Sequence, residues 1–493
     1  MTPSPPTTGD RVRLIGLDVG TTSAKGLAID EDGTVLAEAE RAYPLATPRP
    51  GWAEQDPEDW WRAASAVLDE LGADRAAGIG LTGQMHGLVL LDAADRPVRP
   101  AILWNDGRSQ PQCDAIEARL GIERLVALSG NRALAGFTAP KLLWLAEHEP
   151  DALARTRALL LPKDYVRFRL TGERATDVAD ASGTLLLDVG ARAWSAELCD
   201  AFGADPSWLP RLLESPEASG ATAAGVPVAA GAGDQAAGAL GVGIVGGDGP
   251  ASIVLGTSGV VFAAQDAYAP DPLGRLHAFA HAVPGSWHVM GVELSAAGAL
   301  RWLRDATTGT GPAAPSFDHL VGEAAAWPPG VEGLRFAPYL AGERTPHADA
   351  GVRAAAVGLS LRHDRGALVR AVLEGVAHGL ADGWDLVRAL AGPAGVPAAG
   401  RISGGGSRSP LWTEIVAATL DLPLERTASP SGAAFGAALL GGVAGDVFAD
   451  PRAAVEACVR VSDRIDLDPS LVAAYAGERE RFRALYPALR ALG

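Results

Sequence analysis

Positions 12–19 (VRLIGLDV) are mostly apolar and stop at Gly20, which makes them a strand candidate. A shorter apolar run, Leu27 to Asp30, leads into Asp32-Gly33, and Thr34 to Ala39 resumes a strand pattern. An Asp-Gly pair between two such runs predicts a tight hairpin turn, so the chain opens as a meander of short antiparallel strands. The period then changes. Trp60, Ala64, Val67, Leu68 and Leu71 recur at helical spacing behind Asp56-Pro57. Asp56 is predicted to cap that helix, and Pro57 suits its first position, where the missing N–H costs nothing. Gly78 to Thr82 and Leu88 to Asp92 predict further strands, and helices and strands alternate to about residue 243.

The pattern restarts at residues 250–263, PASIVLGTSGVVFA. Gly20-Thr21-Thr22 and Gly256-Thr257-Ser258 each follow a short apolar strand at the head of one half. This repeat predicts two similar α/β domains with a cleft between them, the usual place for a ligand. The reading divides the chain into a disordered Pro- and Thr-rich tail (1–10), an N-terminal domain (11–243) and a C-terminal domain (244–493).

Composition narrows the class. A chain of 493 residues suits two large domains better than one core. A formal net charge of −17 argues against general nucleic-acid binding, which asks for a basic patch. Cys113, Cys199 and Cys458 are widely spaced and form no CxxC pair, which predicts neither a disulfide framework nor a thiolate zinc site and fits a reducing compartment. The first ten residues lack a signal-peptide pattern, and no apolar run reaches the ~20 residues of a membrane helix, so the expected location is cytoplasmic. The 60 glycines, with many alanines, point to closely packed helices.

Several segments carry chemistry. In Asp18-Val-Gly-Thr-Thr-Ser-Ala-Lys25 a strand ends in a Gly/Thr/Ser turn whose N–H and hydroxyl groups suit phosphate oxygens, while Asp18 suits a hydrated Mg2+. A bare hairpin tip is an equal reading. It is not a Walker A loop. Gly256-Thr257-Ser258 offers the same donors without a lysine, though alone it reads better as a plain turn. In Gly231-Ala-Gly-Asp234-Gln235, Asp234 suits a base that takes a hydroxyl proton in phosphoryl transfer, but by pattern alone it reads better as a helix N-cap. In Gly83-Gln-Met85-His86-Gly87, the His and Met suit the hydroxyls and carbon face of a sugar, against a default of a surface His beside a core Met. In Arg401 to Pro410, a strand meets Gly404, Gly405 and Gly406 before a helix that Ser409-Pro410 starts and that runs to about Leu420; bare backbone there suits a nucleotide, or is a flexible turn. The Ser431 to Ala438 stretch allows close helix packing or space for a nucleotide, with packing the default. Trp104-Asn-Asp106-Gly-Arg108 and Gly342-Glu-Arg-Thr-Pro-His347 are polar loops; Asp106 and Arg108 suit sugar hydroxyls or, by default, a solvated ion pair.

In order, LDVGTTSAK, GQMHG, LWNDGR, Phe137 to Trp144, GAGDQAAG, LGTSG, GERTPH, Val357 to Glu374 and SGGGSRSPLW resemble the FGGY carbohydrate kinases over roughly residues 12–445. That family belongs with the other sugar kinases, heat-shock chaperones and actin. The resemblance implies an α/β fold of two actin-like (ribonuclease H-like) domains around a nucleotide and sugar cleft. It implies ATP and Mg2+ as cofactors, and a small-molecule sugar and ATP as partners, with no nucleic acid and no membrane; a homodimer stays open. GQMHG is similar to the branch that phosphorylates D-xylulose to D-xylulose 5-phosphate in pentose (xylose) catabolism. The Arg-Glu pair of glycerol kinases is not found here. Ribulose, a deoxy sugar or a polyol is the alternative substrate, and a non-kinase actin-like ATP-binding protein the alternative function. Carried over residue by residue, Asp234 is the base, and Asp18 lies by the Mg2+ and the transferred phosphate. Met85, His86, Trp104, Asp106, Arg108, Asp234 and Gln235 face the sugar; Gln235 stands where some relatives have Asn. Thr21, Thr22, Lys25, Gly256, Thr257, Ser258, Gly404, Gly405 and Ser409 hold ATP.

Overall fold

The computed structural model describes residues 12–311, 314–393, 395–428 and 432–492. The predicted tail at 1–10 and Ser431 lie outside the described residues. The opening meander forms as β1 (Leu14–Val19), β2 (Ser23–Ile29) and β3 (Val35–Ala42). Gly33 turns the β2–β3 hairpin at φ 82°, while the Asp30 carboxylate accepts from the N–H groups of Asp32 at 3.2 Å and Thr34 at 2.9 Å. β2 begins at Ser23 rather than at Leu27, because Ala24, Lys25 and Gly26 pair in register with β1 although they are not uniformly apolar. Helix α1 (Pro57–Glu70) starts as expected, with the Asp56 side chain accepting from Glu58 N–H at 3.0 Å and Trp60, Ala64, Val67 and Leu68 buried.

β1 also pairs in parallel with β4 (Gly78–Gly83). With β5 (Ala218–Ala221), β6 (Pro227–Ala229) and β7 (Ala232–Gly233) they complete a seven-stranded mixed sheet in the order β5-β6-β4-β1-β2-β3, with β7 also on β4. Its two central strands are apolar or glycine through most of their length, as strands covered on both faces must be. Helices α2 (Thr138–His148) and α3 (Pro162–Thr171) lie between β4 and β5, and α4 (Asp234–Gly241) follows β7. The predicted strand at Leu88–Asp92 forms only as Val89–Leu91, which pairs with Ala158–Leu160 in a separate ribbon.

The second half repeats the plan. β8 (Ala251–Leu255) and β9 (Gly259–Gln265) form the hairpin, β10 (His277–Ala280) and β11 (Trp287–Glu293) extend the antiparallel side, and β12 (Gly400–Ser403), β13 (Leu424–Thr427) and β14 (Val461–Ile465) lie on the other. Their order is β10-β11-β9-β8-β12-β13-β14, with β12 parallel to β8 as β4 is to β1. Helix α5 (Arg365–Ala391) is buried over most of its turns in this core. Helix α6 (Pro410–Leu420) starts and ends where expected, capped by the Ser409 hydroxyl, which accepts from Trp412 N–H at 3.2 Å. Among the described residues no helix is long and apolar enough to cross a membrane. The three cysteines are buried and unpaired.

Helix α7 (Gly432–Ala444) is coded in the second half but seats on the first sheet and on α4. Glycines permit the approach. A Cβ on Gly80 would stand 1.8 Å from Ala437 O, one on Gly16 1.8 Å from Ala434 O, and one on Gly436 1.9 Å from Ala237 O. The small-residue stretch therefore serves close packing, and α7 fixes α4, the helix that Asp234 begins.

Candidate active site

Strand register gathers the first group of residues. Asp18, Thr82 and Ala232 lie side by side on β1, β4 and β7, and Val19, Gly83 and Gly233 follow one step on. The Gly20 turn, the Gly83–Gly87 loop and Asp234 thus leave the carboxyl ends of three neighbouring parallel strands, where open α/β sheets place their ligands. Asp234 is the first residue of α4, and Gly233, at φ −60° and ψ 156°, occupies the cap position with no side-chain cap bond. The N-cap reading of Asp234 is corrected here: Gly233 is still paired to β4 and keeps an extended backbone, so its peptide rather than the Asp234 carboxylate precedes the first turn. The carboxyl is left without capping duty. Burial pushes its pKa up to about 6, against hydrogen bonds from the Gln235 main chain and side chain that lower it. Burial, and then the neighbouring Asp234 charge, push Asp18 up to about 7, with its cross-strand partner Lys25 opposing. Asp18 Oδ1 is buried without a hydrogen-bond partner among the described residues.

The Gly83–Gly87 loop packs on that turn. A Cβ on Gly233 would meet Met85 Sδ at 2.8 Å, so Met85 lies against the residue before Asp234. His86 has φ 70°, a left-handed backbone that costs a non-glycine residue of order 1–3 kcal/mol and persists only where the surroundings impose it. They do so here. Its carbonyl accepts from Lys141 Nζ at 2.8 Å and Thr138 Oγ1 at 3.0 Å, its ring stacks on Phe137 with centroids 4.1 Å apart, and its Nδ1 lies 2.7 Å from Gly183 O. A carbonyl only accepts, so Nδ1 carries the proton and Nε2 is left as an acceptor. Burial, above all, lowers the His86 pKa to about 3 and keeps the ring neutral. The expected surface histidine is therefore a buried one. Gln84 was missed by the sequence reading: its amide donates to Gly20 O at 3.2 Å and to Gln55 Oε1 at 3.1 Å, joining this loop to the Gly20 turn.

Trp104 is exposed at the mouth and donates from Nε1 to Thr21 Oγ1 at 2.9 Å. Asp106 and Arg108 form an ion pair, but not a solvated one. Arg108 donates to Asp106 at 2.9 and 2.7 Å, reaches Glu54 Oε1 at 2.7 Å, and lies over the Trp52 ring with its guanidinium carbon 3.6 Å from the centroid. Trp52 and Trp144, both far away in sequence, remove the pair from water. Lys25 is exposed and 3.5 Å from Glu40. It lines a cavity of about 410 Å3 with Asp18 and the start of α7, at Gly432, Ala433 and Ala434.

The second sheet mirrors this edge. Val254 of β8 pairs with Ser403 of β12 one residue before β8 ends, so Gly256-Thr257-Ser258 and Gly404-Gly405 emerge together. Gly404 has φ 87°, and a Cβ there would stand 2.6 Å from Leu255 O, which excludes any larger residue. Gly256 O and Thr257 O accept from Ala297 N–H at 2.8 Å and Ala296 N–H at 2.9 Å, so the loop's carbonyls are engaged at the start of the next helix.

Residues 13–241 match the N-terminal domain of the FGGY family of carbohydrate kinases, and residues 251–445 match its C-terminal domain. The chain belongs to the FGGY family of carbohydrate kinases. It is 40% identical to a xylulose kinase from Escherichia coli (strain K12), over 96% of this chain and 99% of that one. It is 44% identical to a xylulose kinase from Lactococcus lactis subsp. lactis, over 76% of each. It also resembles the crystal structure of a xyloylose kinase from Brucella ovis, with a TM-score of 0.89 and 42% identity over 98% of this chain and 100% of that one.

Beneath the site this FGGY kinase buries a charged cluster that no local pattern announced. Lys163 at the head of α3 contacts Asp164 at 2.6 Å, Asp177 at 2.5 Å and Asp180 at 3.2 Å, with Arg167 3.2 Å from Asp164, and all five side chains are essentially inaccessible. Arg167 Nη1 donates to Ala230 O at 2.6 Å, just before the Gly231–Asp234 turn. Asp177 and Asp180 begin the segment that carries Gly183, the acceptor of His86. One buried network thus supports both the turn before Asp234 and the histidine loop.

Proposed function

We propose that the chain catalyses ATP-dependent phosphorylation of D-xylulose to D-xylulose 5-phosphate, a step of pentose catabolism, with Asp234 as general base. The observation that carries the reading is that Asp234 and the loop bearing Met85 and His86 leave the ends of the paired strands β7 and β4, with Met85 against Gly233. The xylulose kinases among its relatives support the choice of sugar. In this reading the sugar's terminal hydroxyl forms the new O–P bond with the γ-phosphorus as the bond to the β-phosphate oxygen breaks, and its proton passes to Asp234. His86 Nε2 accepts a hydroxyl of the sugar, Met85 covers its carbon face, and Gln235 and Trp104 border it. Asp106 and Arg108 act from beneath, holding the loop that bears Trp104. Thr21, Thr22 and Lys25 on one side, and Gly256, Thr257 and Ser258 on the other, face the phosphates; Gly404, Gly405 and Ser409 face the adenosine. A bound Mg2+ would offset phosphate charge, and the unpartnered Asp18 oxygen suits the water shell of that ion.

The direct test is ADP release with a panel of D-xylulose, ribulose, a deoxy sugar and a polyol. D-xylulose should give the highest kcat/KM; a higher value for any other member would reassign the substrate. His86→Ala should raise the KM for D-xylulose with little change in the KM for ATP, and unchanged sugar kinetics would remove His86 from the site.

The pH dependence follows from the Asp234 shift. A base must be ionised, and burial raises this carboxyl from 3.8 to about 6. Sugar kcat/KM should be level at neutral pH and drop about tenfold per unit below about 6. Gln235 lowers that pKa, so Gln235→Leu should move the limb to higher pH. An acid limb that stays in place in this variant would assign it to another group.

A further inference from the structure

The Gly342–His347 loop belongs to the second half and faces the first across a cavity of about 1360 Å3. Its main chain is tied down. Glu343 Oε1 accepts from Leu294 N–H at 3.2 Å and Arg344 N–H at 2.7 Å, while Thr345 Oγ1 accepts from Val292 N–H at 3.0 Å and donates to Arg275 O at 3.0 Å. The Arg344 guanidinium takes no part. Among the described residues it has neither a side-chain hydrogen bond nor an ion pair, and the residue is partly buried on the wall of the cavity. A guanidinium offers five donors and keeps its proton, so an unpaired one on a cavity wall is free to donate to a bound acceptor.

What it faces defines the acceptor. The opposite wall of the cavity includes Trp104, Asp106 and Gly136. Gly136 O accepts from Lys141 Nζ at 2.8 Å, and the same ammonium holds the His86 carbonyl; Phe137, the next residue, stacks on the His86 ring. Burial does most to keep His86 and His277 neutral, and the Arg344 charge adds to it. The shift of Asp18 traces instead to burial, Asp234 and Lys25, and that of Asp234 to burial and Gln235. Arg344 therefore addresses the histidine end of the site and not the reacting end.

We infer that Arg344 is a specificity residue that donates from its guanidinium fork to the carbonyl oxygen of an open-chain ketose, at the end of the sugar remote from the hydroxyl that is phosphorylated. This rests on the reading of Asp234 as base and His86 as sugar contact. A charged planar donor favours a carbonyl oxygen over the hydroxyl that replaces it in the reduced sugar, so the site would prefer the ketose to its polyol.

The test compares D-xylulose with xylitol, in the parent and in Arg344→Gln and Arg344→Lys, with thermal melting as the check on folding. Arg344→Gln should lower kcat/KM for D-xylulose about 10²-fold, chiefly through KM, and reduce the ketose-to-polyol ratio at least about tenfold. The KM for ATP should stay within about twofold in the same variant. Arg344→Lys keeps the charge without the fork and should fall between; it carries the test alone if the Gln variant does not fold. An unchanged ratio in a parent active on D-xylulose would overturn this assignment only. So would a loss confined to kcat with a raised KM for ATP, which would place Arg344 on the transferred phosphoryl group. A parent inert on D-xylulose would overturn the functional reading as well.

Discussion

Asp234→Asn should fold as the parent does, bind both substrates, and turn over about 10²-fold more slowly or worse. The expectation comes from what the carboxyl does and does not do in the fold. It caps no helix, and the amide oxygen of Asn can keep the bond from the Gln235 main chain. It is buried with Asp18, and removing its charge relieves a repulsion that raises the Asp18 pKa, so stability should hold or rise slightly. An amide of the same shape can still accept a hydrogen bond from the sugar hydroxyl through its oxygen, but it cannot take the proton as the O–P bond forms. KM for the sugar should therefore change little while kcat collapses, the pattern of an interaction made in the transition state. Melting temperature and single-turnover rate, measured together, check both halves of this expectation. A variant of normal stability and near-normal turnover would take the base role away from Asp234.

Lys163→Met should cost about 3–5 kcal/mol of stability, since it strips the cation from a buried cluster and leaves uncompensated carboxylates. Three carboxylates contact or neighbour Lys163, and only Arg167 would then remain among them. Burial opposes the Lys163 charge, yet Asp164, Asp177 and Asp180 outweigh it and hold the pKa above its ordinary value. Burial already raises Asp177 and Asp180, with Lys163 as their main counterweight. Without it they rise further, and protonation becomes the cheaper state. A group whose folded pKa is raised gives stability that is present at low pH and lost as pH climbs through that value. The penalty of Lys163→Met should thus be smaller at mildly acidic pH than at pH 8, as read from the first urea transition. A penalty that is small and independent of pH would contradict the ionised cluster. The effect should also reach the site, because the cluster supports Ala230 before Asp234 and the segment that receives His86.

The parts of the fold that were legible are those with local causes. Asp32-Gly33, Asp56-Pro57 and Ser409-Pro410 each specify a turn or a helix start within a few residues, and each formed as read. The order of Gly-rich turns at strand ends was legible too, because a strand that runs apolar into Gly and Thr has few other reasons to do so. What was hidden depended on distant partners. Arg108 looks solvated until Trp52 and Trp144 are folded over it. His86 carries no sign of a positive φ, which is imposed by Lys141, Thr138 and Gly183 from elsewhere in the chain. Asp234 read as a cap because pattern does not tell the cap from the first helical residue, and pairing of Gly233 to Gly83 decided between them. Gln84 and Arg344 stood inside motifs already noticed, yet only their neighbours assign them a task.

The most direct measurement is a crystal structure of the chain with D-xylulose and a non-hydrolysable ATP analogue. The account predicts an Asp234 carboxylate oxygen within about 2.6–3.2 Å of the sugar's terminal hydroxyl, with that hydroxyl in line with the γ-phosphorus. A terminal hydroxyl bound by another side chain, with Asp234 out of hydrogen-bond reach, would contradict it.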